Sequence, residues 1–343
     1  MPHKVILDLD NAFTLPAQDT DDGMALALAL ASPELDLLAC TTCAGNCRAE
    51  QSTANTLALL ALAGRGEIPV ATGPTAPLVR DRAAHLRYLE AKSAGAEARF
   101  WAGMPSAPAH DLVPDGRPAH RLIIDLARQH PGEITLIALG SLTNLALALL
   151  ADPAVAGLIK EVVHMASCTL PPSLARRKIE WHTPDIPDPV WRETLRFNTG
   201  YDPEAAAIVF ESGLPLRLLG IDVTTLVYQR PQDLLPLAHS ANPFQRHLHA
   251  AGLPWVRWSM DVRGLPGAQM HDPLAVAAVI DPTFCGYANA RVDVARFLAE
   301  RSGWLTADSA STPADWPGVA VAVNVDVPRF EAFQAERLAG YRP

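Results

Sequence analysis

The chain is poor in positive charge. Among its 343 residues, 28 are Lys or Arg and 37 are Asp or Glu, which gives a formal net charge of -9 at pH 7. A nucleic-acid-binding surface needs clustered Lys and Arg to neutralise phosphates. The one basic run is 176–178, and we interpret it as a solvated loop. The composition therefore argues against a protein that binds nucleic acid.

Long apolar runs are also missing. The longest, such as 24–31 and 57–63, are too short to span a bilayer. The first residues lead directly into Asp8 and Asp10, which the apolar core of a signal peptide would not carry. The sequence therefore predicts a cytoplasmic protein that does not associate with membranes.

Cysteine is scarce, and the five present are Cys40, Cys43, Cys47, Cys168 and Cys285. An odd number in a long chain is not typical of a disulfide framework, so reduced thiols are expected. Cys43 and Cys47 could suggest a soft-metal pair, but no second Cys or His pair lies at a matching spacing. We interpret them as small residues packed under a loop.

Strand-like apolar runs alternate with amphipathic helical runs. The predicted strand and helix pairs are 5–8 with 22–32, 35–43 with 51–63, and 134–139 with 142–150. Alternation of this kind is typical of parallel strands with crossover helices on both faces. Because no break in composition divides the chain, we expect a single-domain α/β protein over 1–343, with a Rossmann-like, open, mostly parallel sheet.

The second half of the chain continues with less regular spacing. Its predicted elements are strands at 161–166 and 216–221, helices at 203–212 and 273–280, β-like runs at 291–296, 303–307 and 319–325, and a closing helix at 330–338. Two stretches, 75–117 and 168–201, lack clear periodicity and are longer than ordinary connections. In an α/β protein, loops of this length usually cover the mouth of the active site.

Acidic residues are concentrated around the first predicted strand. Asp8 and Asp10 lie at its end, and Asp19, Asp21 and Asp22 precede the first predicted helix. Five carboxylates within about fifteen positions cannot all remain close and charged unless a cation offsets their repulsion. The pattern therefore predicts a metal site.

Two further polar motifs lie where a strand ends and a helix begins. Leu139-Gly140 leads from a predicted strand into a helix, and His271-Asp272 precedes a helix with Pro273 in its first turn. Ligands of open parallel sheets bind outside the carboxyl ends of the strands. The motifs could therefore converge on one cation held by carboxylate and carbonyl oxygens, a coordination that Ca²⁺ accepts.

In this order, the motifs resemble the inosine-uridine-preferring nucleoside hydrolase family. The similar segments cover most of the chain, and they are 5–10, 41–46, 69–73, 139–144, 197–198, 202–206 and 271–276. The resemblance implies a Ca²⁺-dependent enzyme that hydrolyses the N-glycosidic bond of a ribonucleoside or related N-riboside, releasing ribose and free base. It also implies a small-molecule substrate and a homo-oligomer, either a dimer or a tetramer.

The resemblance further implies a role for individual residues. The Ca²⁺ ligands would be Asp10, Asp22, Asp272 and the backbone carbonyl of Leu139, with Asp8 supporting them. Asp21 would act as general base, and His271 would protonate the leaving base, because imidazole titrates in a suitable range. Asn46 and Asn198 would hydrogen-bond ribose hydroxyls. The transition state would resemble an oxocarbenium ion, which anionic surroundings favour.

The chain departs from the family pattern between Asp10 and the acidic pair before the helix. The family joins its aspartates by a tight Pro-Gly turn, whereas segment 11–20 is several residues longer. Asp19 is therefore a rival for the role of Asp21 or Asp22. We prefer Asp21 and Asp22, because they stand directly before the helix, as the family's pair does.

A second departure is Arg196, which stands where the family usually has a Glu that contacts ribose. Guanidinium would suit a 5′-phosphate or another acidic substituent of the substrate. Alternatively, Arg196 could pair with Glu193 or Asp202. The family's usual His-Gly loop after Leu78 is also missing, and base specificity therefore stays open.

Two other classes of protein remain. The run 7–11 also resembles the nucleophile strand of haloacid-dehalogenase-like phosphatases, in which Asp8 would be phosphorylated and Asp10 would serve as acid/base with Mg²⁺. That interpretation needs a lysine and a second acidic pair late in the chain, and it leaves His271 and Asp272 unexplained. The third class is a nucleoside-binding protein without turnover, in which segment 11–20 has displaced the base.

Overall fold

The computed structural model describes residues 1–167, 197–300 and 304–342, so Cys168 and Arg196 lie outside the described residues. The strands of the described part are β1 (His3–Leu9), β2 (Leu35–Thr42), β3 (Val70–Thr72), β4 (Ile134–Ala138), β5 (Ile159–Ala166), β6 (Leu216–Gly220), β7 (Tyr228–Gln229), β8 (Ala268–Gln269), β9 (Cys285–Val292), β10 (Leu305–Ala307) and β11 (Gly318–Val325). Its α-helices are α1 (Asp21–Leu30), α2 (Ala49–Leu62), α3 (Ala83–Ala94), α4 (Ala98–Trp101), α5 (Ala119–Gln129), α6 (Thr143–Ala151), α7 (Phe197–Tyr201), α8 (Pro203–Glu211), α9 (Ile221–Thr224), α10 (Pro231–Ala238), α11 (Pro243–Asp261), α12 (His271–Ile280), α13 (Val294–Glu300) and α14 (Val327–Gly340).

Nine of these strands form one sheet, in the order β10-β9-β11-β6-β5-β4-β1-β2-β3. All neighbours from β11 through β3 pair in parallel, whereas β9 pairs antiparallel with β10 and β11. The predicted open, mostly parallel α/β sheet is confirmed. From β1 the chain proceeds outward to β3, and from β4 it proceeds outward the other way to β6. The point at which strand order reverses, between β1 and β4, is where sheets of this kind bind ligands.

The hydrophobic core lies on both faces of the sheet. Val5 and Leu7 of β1 pack in the cluster that contains α1 and α12, whereas Ile6 belongs to the cluster that contains α6 and α8. Successive side chains of a strand point to opposite faces, so a strand that is apolar at every position is buried on both sides. No helix among the described residues is long and apolar enough to cross a bilayer.

The stretch 75–117, which lacks clear periodicity, contains helices α3 and α4. Leu86 is the buried residue of α3, so the helix has no apolar stripe by which the sequence could reveal it. Tertiary contacts hold it instead. Gln18 donates from Nε2 to the carbonyl of Leu89 and to Ser93 Oγ, both at 2.9 Å. The prediction of an irregular loop over this stretch is therefore wrong in part.

The β-like run at 291–296 is also divided differently from the prediction. Strand β9 begins earlier, at Cys285, and ends at Val292, and helix α13 begins at Val294. Asp293 lies between them, and its side chain accepts a hydrogen bond from the backbone N–H of Arg296 at 3.0 Å. That bond satisfies a donor of the first helical turn, which explains why the strand stops here.

Candidate active site

Asp8 anchors the site at the carboxyl end of β1. It is fully buried, and its Oδ1 accepts hydrogen bonds from Thr41 Oγ1 and Asn144 Nδ2, both at 2.7 Å. Asn144 also donates to the carbonyl of Thr42 at 2.9 Å. Neither Thr41 nor Asn144 was predicted to have a role, although both lie in the family-like segments. Asp8 Oδ2 has no hydrogen-bond partner among the described residues.

Asp10 is held by the loop that follows β2. The backbone N–H of Asn46 donates to Asp10 Oδ2 at 2.9 Å, and Asn46 Nδ2 donates to Oδ1 at 3.3 Å. Gly45 makes this approach possible, because a Cβ there would lie 1.9 Å from Asp10 Oδ2. The side chain of Asn46, expected on ribose, thus bonds to a candidate metal ligand.

Segment 11–20 connects β1 to α1 and packs against the start of that helix. Phe13 is fully buried over Gly23, where an added Cβ would lie 2.4 Å from the ring. Asn11 accepts from the backbone N–H of Phe13 at 3.0 Å, and Thr14 and Ala17 adopt left-handed backbone angles, φ 76° and φ 58°. These left-handed residues let the longer connection fold compactly and deliver Asp21 to the start of the helix.

Asp21, Asp22 and Asp272 form the centre of the site. Oxygen atoms from these three buried carboxylates all lie within 4.8 Å of one another. Asp22 Oδ1 accepts from the backbone N–H of Asp10 at 3.1 Å, and Asp21 Oδ2 accepts from that of Asp272 at 3.3 Å. Asp22 Oδ2 has no hydrogen-bond partner in the described part of the chain. Residues from both ends of the sequence therefore meet at the β1/β4 reversal point.

The electrostatics of the cluster are strongly unfavourable for five negative charges. Burial raises the pKa of Asp8 and of Asp10 to about 6. Burial also raises the pKa of Asp21, Asp22 and Asp272 well above the ordinary range, and the neighbouring carboxylates raise it further. A divalent cation with oxygen ligands would offset this repulsion. The donor set and the unpartnered oxygens therefore fit a hard cation.

Asp19 lies beside the cluster, not within it. Its side chain accepts from the backbone N–H of Thr20 at 2.7 Å and is hydrogen-bonded to the side chain of Asp21. Burial raises the pKa of Asp19, and Arg263 opposes the rise. Asp21 and Asp22 both belong to the first turn of α1, whereas Asp19 precedes the helix.

Leu139 and Asn198 meet on the other side of the reversal point. Asn198 Nδ2 donates to the carbonyl of Leu139 and to the carbonyl of Met165, the second at 3.0 Å. A carbonyl oxygen has two lone pairs, so this bond leaves Leu139 able to coordinate an ion. Both amide hydrogens of Asn198 are used by these carbonyls, which leaves its Oδ1 as the atom able to accept from a ligand.

His271 begins helix α12 and is buried. Its Nδ1 lies 2.7 Å from Thr224 Oγ1. Burial lowers the pKa of His271 to about 3, and Arg263 contributes to the fall. The role of His271 as proton donor to the leaving base stays a prediction, and burial favours the neutral ring in the metal-free protein. At pH 7 the ring is neutral and can still donate one hydrogen bond.

Replacing Gly45 with Ala should weaken the site without unfolding the chain. The added Cβ would displace the Asp10 carboxylate, and we expect the affinity for a divalent cation to fall by about tenfold or more, a loss of about 1.4 kcal/mol. Gly116→Ala is the matched control, because a Cβ there meets nothing within 4 Å. Calorimetric titration with Ca²⁺ measures both variants, and equal affinities would contradict the expectation.

Comparison with known proteins decides the family. The inosine-uridine preferring nucleoside hydrolase model matches residues 5–332. The chain belongs to this family. Pyrimidine-specific ribonucleoside hydrolase RihA of Citrobacter koseri is 31% identical over 322 residues, covering 94% of this chain and 95% of that protein. Probable uridine nucleosidase 2 of Oryza sativa subsp. japonica is 28% identical over 342 residues, covering 98% and 93%.

Solved structures of nucleoside hydrolases agree. The plant nucleoside hydrolase PpNRh1 has 30% identity and a TM-score of 0.76, and the match covers 99% of each chain. A purine-preferring ribonucleoside hydrolase from Gardnerella vaginalis has 27% identity and the same TM-score, covering 98% of each chain. As a member of this family, the chain is an N-ribosyl hydrolase, and the haloacid-dehalogenase-like interpretation is wrong.

Proposed function

We propose that this nucleoside hydrolase uses Ca²⁺ to cleave the N-glycosidic bond of a ribonucleoside, releasing ribose and free base. The observation that carries the proposal is the buried acidic cluster at the β1/β4 reversal point, with Asp21, Asp22 and Asp272 within 4.8 Å of one another. Carboxylates brought together from distant parts of a chain are costly unless a cation and a reaction use them.

Asp10, Asp22, Asp272 and the carbonyl of Leu139 would hold the cation, and Asp8 would support them through its bonds to Thr41 and Asn144. A bound divalent ion supplies Lewis acidity and lowers the pKa of a water molecule beside it. Ca²⁺ is favoured over Mg²⁺ because it accepts many oxygen ligands in flexible geometry, which suits a set containing several carboxylates and a carbonyl.

Asp21 would accept the proton of the attacking water. Burial and the neighbouring Asp19 carboxylate raise its pKa, so it holds a proton more readily than an ordinary Asp. As the bond to the base breaks, positive charge develops on the ribose ring. The surrounding carboxylates would stabilise that charge, which gives the acidic cluster a second use.

Asn198 and Asn46 would orient the ribose. The amide nitrogen of Asn198 is bonded to two carbonyls, which supports Oδ1 as the acceptor for a ribose hydroxyl. Asn46 would contribute its side-chain amide from beside Asp10, to which its backbone N–H and its Nδ2 both donate. His271 would donate a hydrogen bond to the leaving base. From the same position the ring would pass a proton to the base as the N-glycosidic bond breaks.

A reducing-sugar assay on a panel of purine and pyrimidine ribonucleosides and their 5′-monophosphates would show which of these compounds the enzyme cleaves. RihA of Citrobacter koseri is named pyrimidine-specific and the Gardnerella vaginalis enzyme purine-preferring, so both bases belong in the panel. We expect ribose release from at least one nucleoside. Release from none, with nucleoside binding intact, would favour the binding protein without turnover.

Arg196→Glu tests whether the substrate carries an acidic 5′ substituent. If Arg196 meets a phosphate, wild type should cleave nucleotides and the variant should lose that activity, because the guanidinium is replaced by a like charge. Cleavage of nucleosides alone by both proteins would remove the phosphate proposal and leave Arg196 as a partner of Glu193 or Asp202.

A further inference from the structure

Next to the candidate site lies a pair of buried polar side chains that the proposed chemistry does not use. His164 of β5 and Thr199 of α7 are both fully buried. His164 Nε2 lies 3.0 Å from Thr199 Oγ1, and its Nδ1 lies 3.1 Å from the carbonyl of Ala138. The backbone N–H of Ser167 also reaches Thr199 Oγ1, at 3.1 Å.

The donors and acceptors in this chain of bonds can be arranged in one way only. The carbonyl of Ala138 can only accept, so Nδ1 of His164 carries the ring hydrogen. Nε2 is then an acceptor, and the hydroxyl of Thr199 donates to it while its oxygen accepts from Ser167. Burial lowers the pKa of His164 to about 4, which keeps the ring neutral at pH 7, as this arrangement requires.

The bonded chain links the elements that carry two candidate site residues. Ala138 directly precedes Leu139, and Thr199 directly follows Asn198. One row of bonds therefore joins Asn198 to the carbonyls of Leu139 and Met165, and a second, deeper row joins Thr199 through His164 to Ala138. Burying two polar side chains costs free energy that an apolar pair of similar size would not. A polar pair at this place is therefore better explained by a need to hold α7 in one orientation.

We propose that His164 and Thr199 are positioning residues, which fix helix α7 so that Asn198 meets both the Leu139 carbonyl and a ribose hydroxyl. The inference rests on the proposed function, because it concerns the residue expected to bind the sugar. A displacement of about 1 Å in such a group can cost about a hundredfold in rate. Neither residue touches the substrate in this account.

Thr199→Val removes the hydroxyl while keeping the shape of the side chain. We expect the dissociation constant for ribose, measured by calorimetry in saturating Ca²⁺, to rise about tenfold, because Asn198 loses its fixed orientation. Thr199→Ser restores the hydroxyl and should bind ribose within about threefold of wild type. The matched control is Thr135→Val, which removes a fully buried hydroxyl from the opposite end of β4 and should leave ribose binding unchanged.

His164→Leu, alone and combined with Thr199→Val, separates positioning from a general loss of stability. If the two residues act through one chain of bonds, the double variant should bind ribose no more weakly than either single variant. Melting temperatures identify variants that fail to fold. The double variant leaves the carbonyl of Ala138 and the backbone N–H of Ser167 without these partners, so its melting temperature should fall, and ribose binding is compared well below that temperature.

Normal ribose binding by Thr199→Val would overturn the inference, as would failure of Thr199→Ser to recover or an equal loss in Thr135→Val. Because the measurement is binding, it does not depend on turnover. Failure of the proposed function would instead show as no ribose release from any nucleoside by the wild-type enzyme.

Discussion

Asp21→Asn lowers kcat for the accepted nucleoside by about 10³-fold, because general-base catalysis typically contributes 10² to 10⁴. KM should change little, since the amide keeps the shape and the hydrogen bond from the backbone N–H of Asp272. Initial rates of ribose release over a substrate series measure both constants.

Asp19→Asn is the control, because it makes the same change of charge two residues away, beside the cluster. We expect kcat to fall by less than about tenfold, since Asp19 is hydrogen-bonded to Asp21 and affects Asp10 and Asp272 through its charge, but would not itself take the proton of the attacking water. Calorimetric Ca²⁺ binding separates the possible roles of Asp21. If Asp21→Asn abolishes Ca²⁺ binding, Asp21 is a metal ligand. If Asp19→Asn shows the larger loss of kcat, Asp19 and not Asp21 is the general base.

Removal of divalent cations by a chelator should lower kcat/KM by at least about a hundredfold, because electrostatic stabilisation and activated water are both lost. Ca²⁺ should restore the rate, and Mg²⁺ should restore less of it, because Mg²⁺ demands near-octahedral geometry at shorter distances. Full activity after exhaustive chelation, with metal content checked by elemental analysis, would contradict the proposed cofactor.

The effect of the ion on stability should depend on pH with a definite sign. In the metal-free protein the pKa of Asp8 is raised from 3.8 to about 6, so its contribution to stability is present below pH 4 and lost as pH rises through 6, a change of about 3 kcal/mol. Ca²⁺ requires the ionised carboxylates, so its stabilisation grows over the same range.

The difference in melting temperature between the Ca²⁺-loaded and chelated proteins should therefore be larger at pH 7.5 than at pH 5. Taking the difference removes the contribution of groups that titrate alike in both states. A difference that is constant with pH would mean that the ion does not bind at the acidic cluster.

The fold was predictable because its signals are local and repeated. Val5, Ile6 and Leu7 are apolar at every position, which is typical of a strand covered on both faces, and the helices that follow β1, β2 and β4 have clear lengths and turn residues. Helix α3 was missed because tertiary contacts, such as those of Gln18, hold a helix that has little apolar surface. The assignment of 1–343 to one domain stays a prediction.

The acidic residues of the site could be predicted from the sequence, but their hydrogen-bond partners could not. Clustered aspartates indicate a cation, and the end of β1 and the start of α12 indicate where it would bind. The partners of Asp8 were not predictable, because Thr41 and Asn144 are ordinary residues of a strand and a helix until the fold brings them together. Likewise, burial and Arg263 lower the pKa of His271, and both effects depend on the tertiary fold, which the residues next to His271 in the sequence do not reveal.

Homo-oligomerisation and the contacts of Arg196 stay predictions from the family resemblance. Arg196 is the more informative of the two, because its charge is opposite to that of the Glu usual in the family. Size-exclusion chromatography with light scattering would measure the assembly directly.

The most direct test of the acidic cluster is the anomalous scattering of crystals grown with Ca²⁺. We predict one strong peak between Asp10, Asp22 and Asp272, with their carboxylate oxygens and the carbonyl of Leu139 at about 2.3 to 2.6 Å. A peak elsewhere, coordination through Asp19, or no peak at millimolar Ca²⁺ would contradict the account.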